Sequence, residues 1–116
     1  MSELIETPVT LNVSNESLDL IVKMAIEEGG SSYWICDVKS KYKNNKSIAS
    51  GAVLLIYGTE NNVYELNKNK LLNGLHLVLP YLKNAIIGDT LDANFIDADT
   101  ADFIVQMGIF NELRYD

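Results

Sequence analysis

Cysteine, histidine, arginine and tryptophan occur once each among the 116 residues, as Cys36, His76, Arg114 and Trp34, and proline occurs only as Pro8 and Pro80. One cysteine excludes an internal disulfide and a closed cysteine-based zinc site. Cys36 sits between Ile35 and Asp37 in an expected strand, and His76 among leucines on an expected helix. That placement predicts a buried structural thiol, not a nucleophile beside its base. No apolar run reaches the roughly 18–20 residues that span a bilayer. The first six residues lack the basic start and apolar stretch of a signal peptide, so a cytoplasmic protein with no membrane partner is expected. Few prolines and an apolar fraction of 47% describe a globular chain, one domain over residues 1–116.

Positive charge is also scarce, with nine Lys and Arg against sixteen Asp and Glu, for a net charge of −7. Residues 1–30 hold six acids against Lys23, and residues 71–116 hold seven against Lys83 and Arg114. The middle third is basic, with six lysines against three acids. Nonspecific binding to duplex nucleic acid is therefore disfavoured, because the phosphate backbone meets mostly like charge. A basic partner, or a small anion held by the middle third, fits this distribution.

The periodicities predict an α+β fold, with a central antiparallel sheet of about four strands and three helices packed against it. Residues 8–13 alternate as a short strand. Ser14 or Asn15 can cap a helix whose apolar face is Leu18, Ile21, Val22, Ala25 and Ile26, stopped by a left-handed Gly29 or Gly30. Period two follows over 32–43, with Tyr33, Ile35 and Asp37 on one face and Trp34, Cys36 and Val38 on the other. The run 52–57 is apolar on both sides and reads as a central strand covered on both faces. Residues 63–66 are its hairpin partner. Asn67 caps a second helix striped with Leu71, Leu72, Leu75, Val78, Leu79 and Leu82, which Pro80 should kink or end. Residues 84–96 read as an excursion burying Ile86, Ile87 and Phe95. A third helix starts at 98–100, turns Ala101, Ile104, Val105 and Phe110 inward, and ends at a left-handed Asn111. Residues 112–115 could add an edge strand.

Three groups of residues invite a site. Asp97, Asp99 and Asp102 lack the glycine and distal glutamate of a calcium loop, so they predict a capped helix start and no metal. With Glu112 they are candidates for an acidic binding surface. Lys39, Lys41 and Lys43 could grip the phosphates of a nucleotide, aided by Tyr33 or Trp34, although lysines also guard strand edges. Gly29-Gly30-Ser31-Ser32 precedes a strand and not a helix, so it is a turn and not a phosphate loop. No acid–base pair or triad stands out. The expectation is a binding protein without catalytic residues or cofactor, its oligomeric state left open.

Five stretches carry a resemblance. They are Gly29-Gly30-Ser31-Ser32-Tyr33-Trp34-Ile35, then Ala49-Ser50-Gly51-Ala52-Val53-Leu54-Leu55, and Tyr64-Glu65-Leu66 with Leu71-Leu72-Asn73-Gly74-Leu75. The acidic start Ile96-Asp97-Ala98-Asp99-Thr100-Ala101-Asp102-Phe103-Ile104-Val105-Gln106 and the ending Phe110-Asn111-Glu112-Leu113-Arg114-Tyr115-Asp116 complete the set. In this order the chain resembles a family of small, largely uncharacterised accessory proteins of phages, prophages and mobile elements of Gram-positive bacteria. The resemblance departs at Asn111, where those proteins tend to have glycine. It implies no catalytic residues. It implies an accessory protein of the kind that neutralises a host defence by binding. The expectation is therefore a protein of the host cytoplasm that binds and blocks a host defence protein, as anti-CRISPR proteins do, its acidic surface set against a basic groove. A sponge for a nucleotide immune signal and a structural or regulatory phage protein are the other readings.

Overall fold

A computed structural model describes residues 11–42 and 47–115. The elements in chain order are strand β1 (Asn12–Val13), helix α1 (Asn15–Ile26), β2 (Ile35–Ser40), β3 (Leu54–Gly58), β4 (Val63–Leu66), α2 (Lys68–Val78), β5 (Ile86–Ile87), β6 (Thr90–Leu91) and α3 (Ala98–Phe110). Each helix begins where a short polar side chain can take up an orphan backbone N–H. Ser14 Oγ accepts from Ser17 N at 3.0 Å, Asn67 Oδ1 from Lys70 N at 2.9 Å and Asp97 Oδ1 from Thr100 N at 2.8 Å. The turn after α1 is left-handed at Gly29 (φ 87°), and α3 is closed by Asn111 (φ 56°). Helix α2 stops at Val78, and Pro80 lies in the 3-10 turn Leu79–Tyr81 that follows.

Among the described residues the fold is α+β with three helices, but the strands form two three-stranded sheets where one sheet of about four was expected. β2, β3 and β4 are antiparallel in that order. The excursion after α2 turns back at Gly88 (φ 64°) and pairs β6 in parallel with β1 and antiparallel with β5. The second sheet forms because Asn12 N donates to Asp89 O at 2.6 Å, tying this hairpin to the segment ahead of α1. Residues 8–10 of the expected first strand lie outside the described residues.

The structure departs from the sequence pattern in several places. β3 buries Leu54, Ile56 and Gly58 but leaves Leu55 and Tyr57 half-buried, so it is central yet packed on one face only. On its other face the Lys39 ammonium lies 5.4 Å from the centre of the Tyr57 ring. Cys36 is exposed, because the β2–β3 register slips between Ile35 and Asp37 and the bulge turns the thiol out of the alternation. Ile87 and Phe95 are exposed, Ile87 on a two-residue strand and Phe95 at the end of a 3-10 turn, neither with an element packed over it. Residues 112–115 form no strand.

The core joins Ile21 and Ala25 of α1, Leu71, Leu75 and Val78 of α2, and Ala101, Ile104 and Val105 of α3 to the inner face of the β2–β3–β4 sheet. α2 and α3 meet backbone to backbone. A Cβ on Gly74 would overlap the Ile104 carbonyl and one on Gly108 the Lys70 carbonyl. Gly30 is confined in the same way by the Ala98 carbonyl, which seats the turn after α1 against the first turn of α3.

The Asp97 cap carries a pH signature. Its hydrogen bonds with Thr100, the side-chain bond foremost, hold the carboxyl below its ordinary value. A lowered folded-state pKa contributes stability that is fully present above the usual carboxyl range near pH 4 and lost as pH falls through the lowered value. Asp97→Ala is expected to cost about 1 kcal/mol at pH 7 in urea denaturation. The gap from wild type should narrow on acidification.

Candidate functional site

The turn and the acidic helix start that dominate the sequence meet at one carboxylate. Asp102, 5% exposed, accepts at Oδ1 from Ser31 Oγ (2.7 Å) and Trp34 Nε1 (2.8 Å). At Oδ2 it accepts from Tyr33 Oη (2.5 Å) and Gln106 Nε2 (3.0 Å). Local geometry prepares both halves. Asp102 and Gln106 are four apart on α3 and so lie on one helix face. Gly29 and Gly30 bend the chain so that Ser31, Tyr33 and Trp34 arrive on consecutive sides of a tight turn.

Gln106, fully buried, extends the network to the chain's end. Its Oε1 accepts from Tyr115 N at 2.8 Å, and its Nε2 lies 2.9 Å from Tyr115 O and 2.8 Å from Tyr33 Oη. One side-chain amide thus gives Tyr115 both hydrogen bonds that an edge strand would have given it, which is why residues 112–115 need no strand. The Tyr115 ring stacks on Trp34, 4.9 Å between centroids and 3° from parallel. Tyr64 and Phe110 close the aromatic box, their rings perpendicular at 4.8 Å. Hydrogen bonding between the hydroxyls of Tyr64 and Tyr115, 3.2 Å apart, is the main cause raising the Tyr115 pKa. Arg114 lies 4.2 Å over the Phe110 ring and pairs with Glu112 at 3.3 Å.

Chemically the arrangement is a clasp. Four donors meet one carboxylate, and among the described residues no buried side-chain nitrogen or oxygen lacks a partner. Each group needed to recognise a ligand is already committed to holding the turn, α3 and the chain end together. Comparison with protein-family models, curated proteins and solved structures finds no match.

Of the sequence candidates, Tyr33, Trp34 and Asp102 converge on the clasp and the others do not. Asp102 is buried and cannot belong to an acidic surface. Trp34, 1% exposed, is core. Tyr33 is 47% exposed, but its hydroxyl is held by Asp102. Lys39, on β2, lies over the Tyr57 ring, and Lys41 follows the end of that strand. Lys41 pairs with Glu65 across the sheet at 3.0 Å, which raises the lysine's pKa. Lys43 lies outside the described residues. Asp97, Asp99 and Glu112 are exposed as expected. A cleft of about 550 Å³ between α1 and β2 is floored by Val22, Ile26, Val38 and Leu54 and touches none of the described candidates.

Ser31, Gln106 and Tyr115 were not singled out from the sequence. The available signal was position on α3, where Asp102 and Gln106 fall among Ala101, Ile104 and Val105, and a polar residue on an apolar face calls for a partner.

The acids that do gather are on the outside. Where Gly30 touches Ala98, the end of α1 contributes exposed Glu27 and Glu28, and the start of α3 contributes exposed Asp97 and Asp99. Segments some 70 residues apart in sequence thus bring four exposed acids to the junction of α1 and α3, the acidic corner of the molecule.

Proposed function

We propose that the protein is a phage-type accessory inhibitor, which binds a basic groove on a host immune component and blocks it, as anti-CRISPR proteins do. The observation that carries this reading is the acidic corner of Glu27, Glu28, Asp97 and Asp99 at the junction of α1 and α3. The net charge of −7 acts in the same direction, steering the chain toward a positively charged target and away from nucleic acid. The clasp supports the reading indirectly. It commits the buried polar groups to rigidity, and a rigid surface loses less entropy on docking. Lys39 and Lys41, already engaged by Tyr57 and Glu65, give a nucleotide sponge no comparable footing.

The test is expression in bacteria that carry an active CRISPR system and are challenged with a targeted phage. Wild type should restore plaque formation. The triple variant Glu27→Gln, Glu28→Gln, Asp97→Asn should lose most of that effect with only a small fall in melting temperature, because asparagine still caps α3. A triple variant as active as wild type would remove the acidic corner from the account.

A further inference from the structure

Gly74 and Gly108 let α2 and α3 touch backbone to backbone, so side chains on the solvent side of the seam lie in paired rungs. Two rungs are seen directly. Asn73 Nδ2 donates to Asn111 Oδ1 at 3.0 Å, and the rings of Tyr81 and Phe103 meet edge-on with centroids 5.5 Å apart. Both pairs share one antiparallel register, and that register sets Leu77 opposite Met107 between them. Tyr81 is 71% exposed and Leu77 40%, while Phe103 and Met107 are half-buried, so the two middle rungs form an open apolar strip.

The ends of the strip carry opposite charge. One turn beyond Phe103 stands Asp99, exposed and in no ion pair among the described residues. One turn before Asn73 stands Lys70, whose ammonium donates to the backbone carbonyl of Glu65 at 3.0 Å and to no carboxylate among the described residues. At about 1.5 Å per residue, Asp99 lies roughly 12 Å along α3 from Met107, and Lys70 roughly 10 Å along α2 from Leu77 in the opposite direction. The Leu77–Met107 rung is therefore midway between an unpaired acid and a lysine that lacks a carboxylate.

From this spacing we infer that the strip is the contact between two copies of the chain, related by a two-fold axis crossing the seam at the Leu77–Met107 rung. The operation turns the strip end for end. Each Asp99 then reaches the end holding the other copy's Lys70, and the apolar rungs cover one another. The inference does not depend on what the protein inhibits. It differs from the acidic-corner reading in needing no third molecule.

Sedimentation equilibrium of the full chain, from about 5 to 200 µM in about 0.15 M salt to screen the repulsion of two acidic chains, tests it. Wild type should move from the mass of one chain toward that of two. Leu77→Glu and Tyr81→Glu, both at exposed positions, should each raise the dimer dissociation constant about tenfold or more with circular dichroism unchanged. Lys70→Glu and Asp99→Lys should each weaken association several-fold, and the double exchange should restore it. A monomer throughout the range overturns the inference. So does a dimer indifferent to both glutamate variants, or a double exchange that fails to recover what its single members lose.

Discussion

Asp102→Ala is expected to cost about 3–5 kcal/mol of folding stability, the large end of single-substitution effects, because several buried donors lose their acceptor at once. The substitution removes the one acceptor shared by Ser31, Tyr33, Trp34 and Gln106, and little water can reach Ser31, Trp34 and Gln106. Urea denaturation followed by Trp34 emission measures it directly, since the chain has one tryptophan and it donates to Asp102. Asp102→Asn should cost less, about 2 kcal/mol. It keeps an oxygen for Ser31 and Trp34 but turns an amide toward the Gln106 amide, setting donor against donor. A loss below about 1 kcal/mol for alanine would mean the donors find other partners and the clasp is dispensable.

Gly108→Ala is expected to destabilise by about 3 kcal/mol or more, against the usual sign for a helix interior, where alanine is better than glycine by about 1 kcal/mol. The reversal follows from the seam. The new methyl would overlap the Lys70 carbonyl and lie about 3.0 Å from its carbon, and these are backbone atoms that cannot swing aside. Gly74→Ala should behave alike, because its methyl would meet the Ile104 carbonyl and lie 2.7 Å from Gly108 N. Thermal denaturation of the two single variants and the pair decides the matter. Since both open the same seam, the double variant should lose less than the sum of the singles. Unchanged or raised stability in either single variant would show that the helices can part without loss.

Much of the fold was legible from the sequence, and for local reasons. Ser14, Asn67 and Asp97 cap their helices, Gly29 and Asn111 take left-handed geometry, and α2 gives way ahead of Pro80. In each case the deciding interaction spans at most a few residues, so side-chain chemistry at that spot is enough. Alternation was weaker evidence. Cys36 was expected inside because period two was carried straight through β2, and a single bulged residue reverses every inference about facing. The partition of six strands between two sheets was out of reach for a related reason. Strands of two residues leave almost no pattern, and their pairing depends on which segment lies nearby.

The sequence by itself determined the α+β class, the positions of the three helices and an acidic chain. Composition, periodicity and capping are properties of short stretches, and they survive whatever the rest of the molecule does. Only the tertiary structure decided that Asp102 is the buried centre of a clasp and not part of a surface, because its donor Ser31 is 71 residues away. Only the tertiary structure showed why Gly74 and Gly108 are glycines, or that the end of α1, with Glu27 and Glu28, adjoins the start of α3, with Asp97 and Asp99. Those facts depend on the distance between backbones that the sequence places far apart, and burial and charge clustering follow that distance.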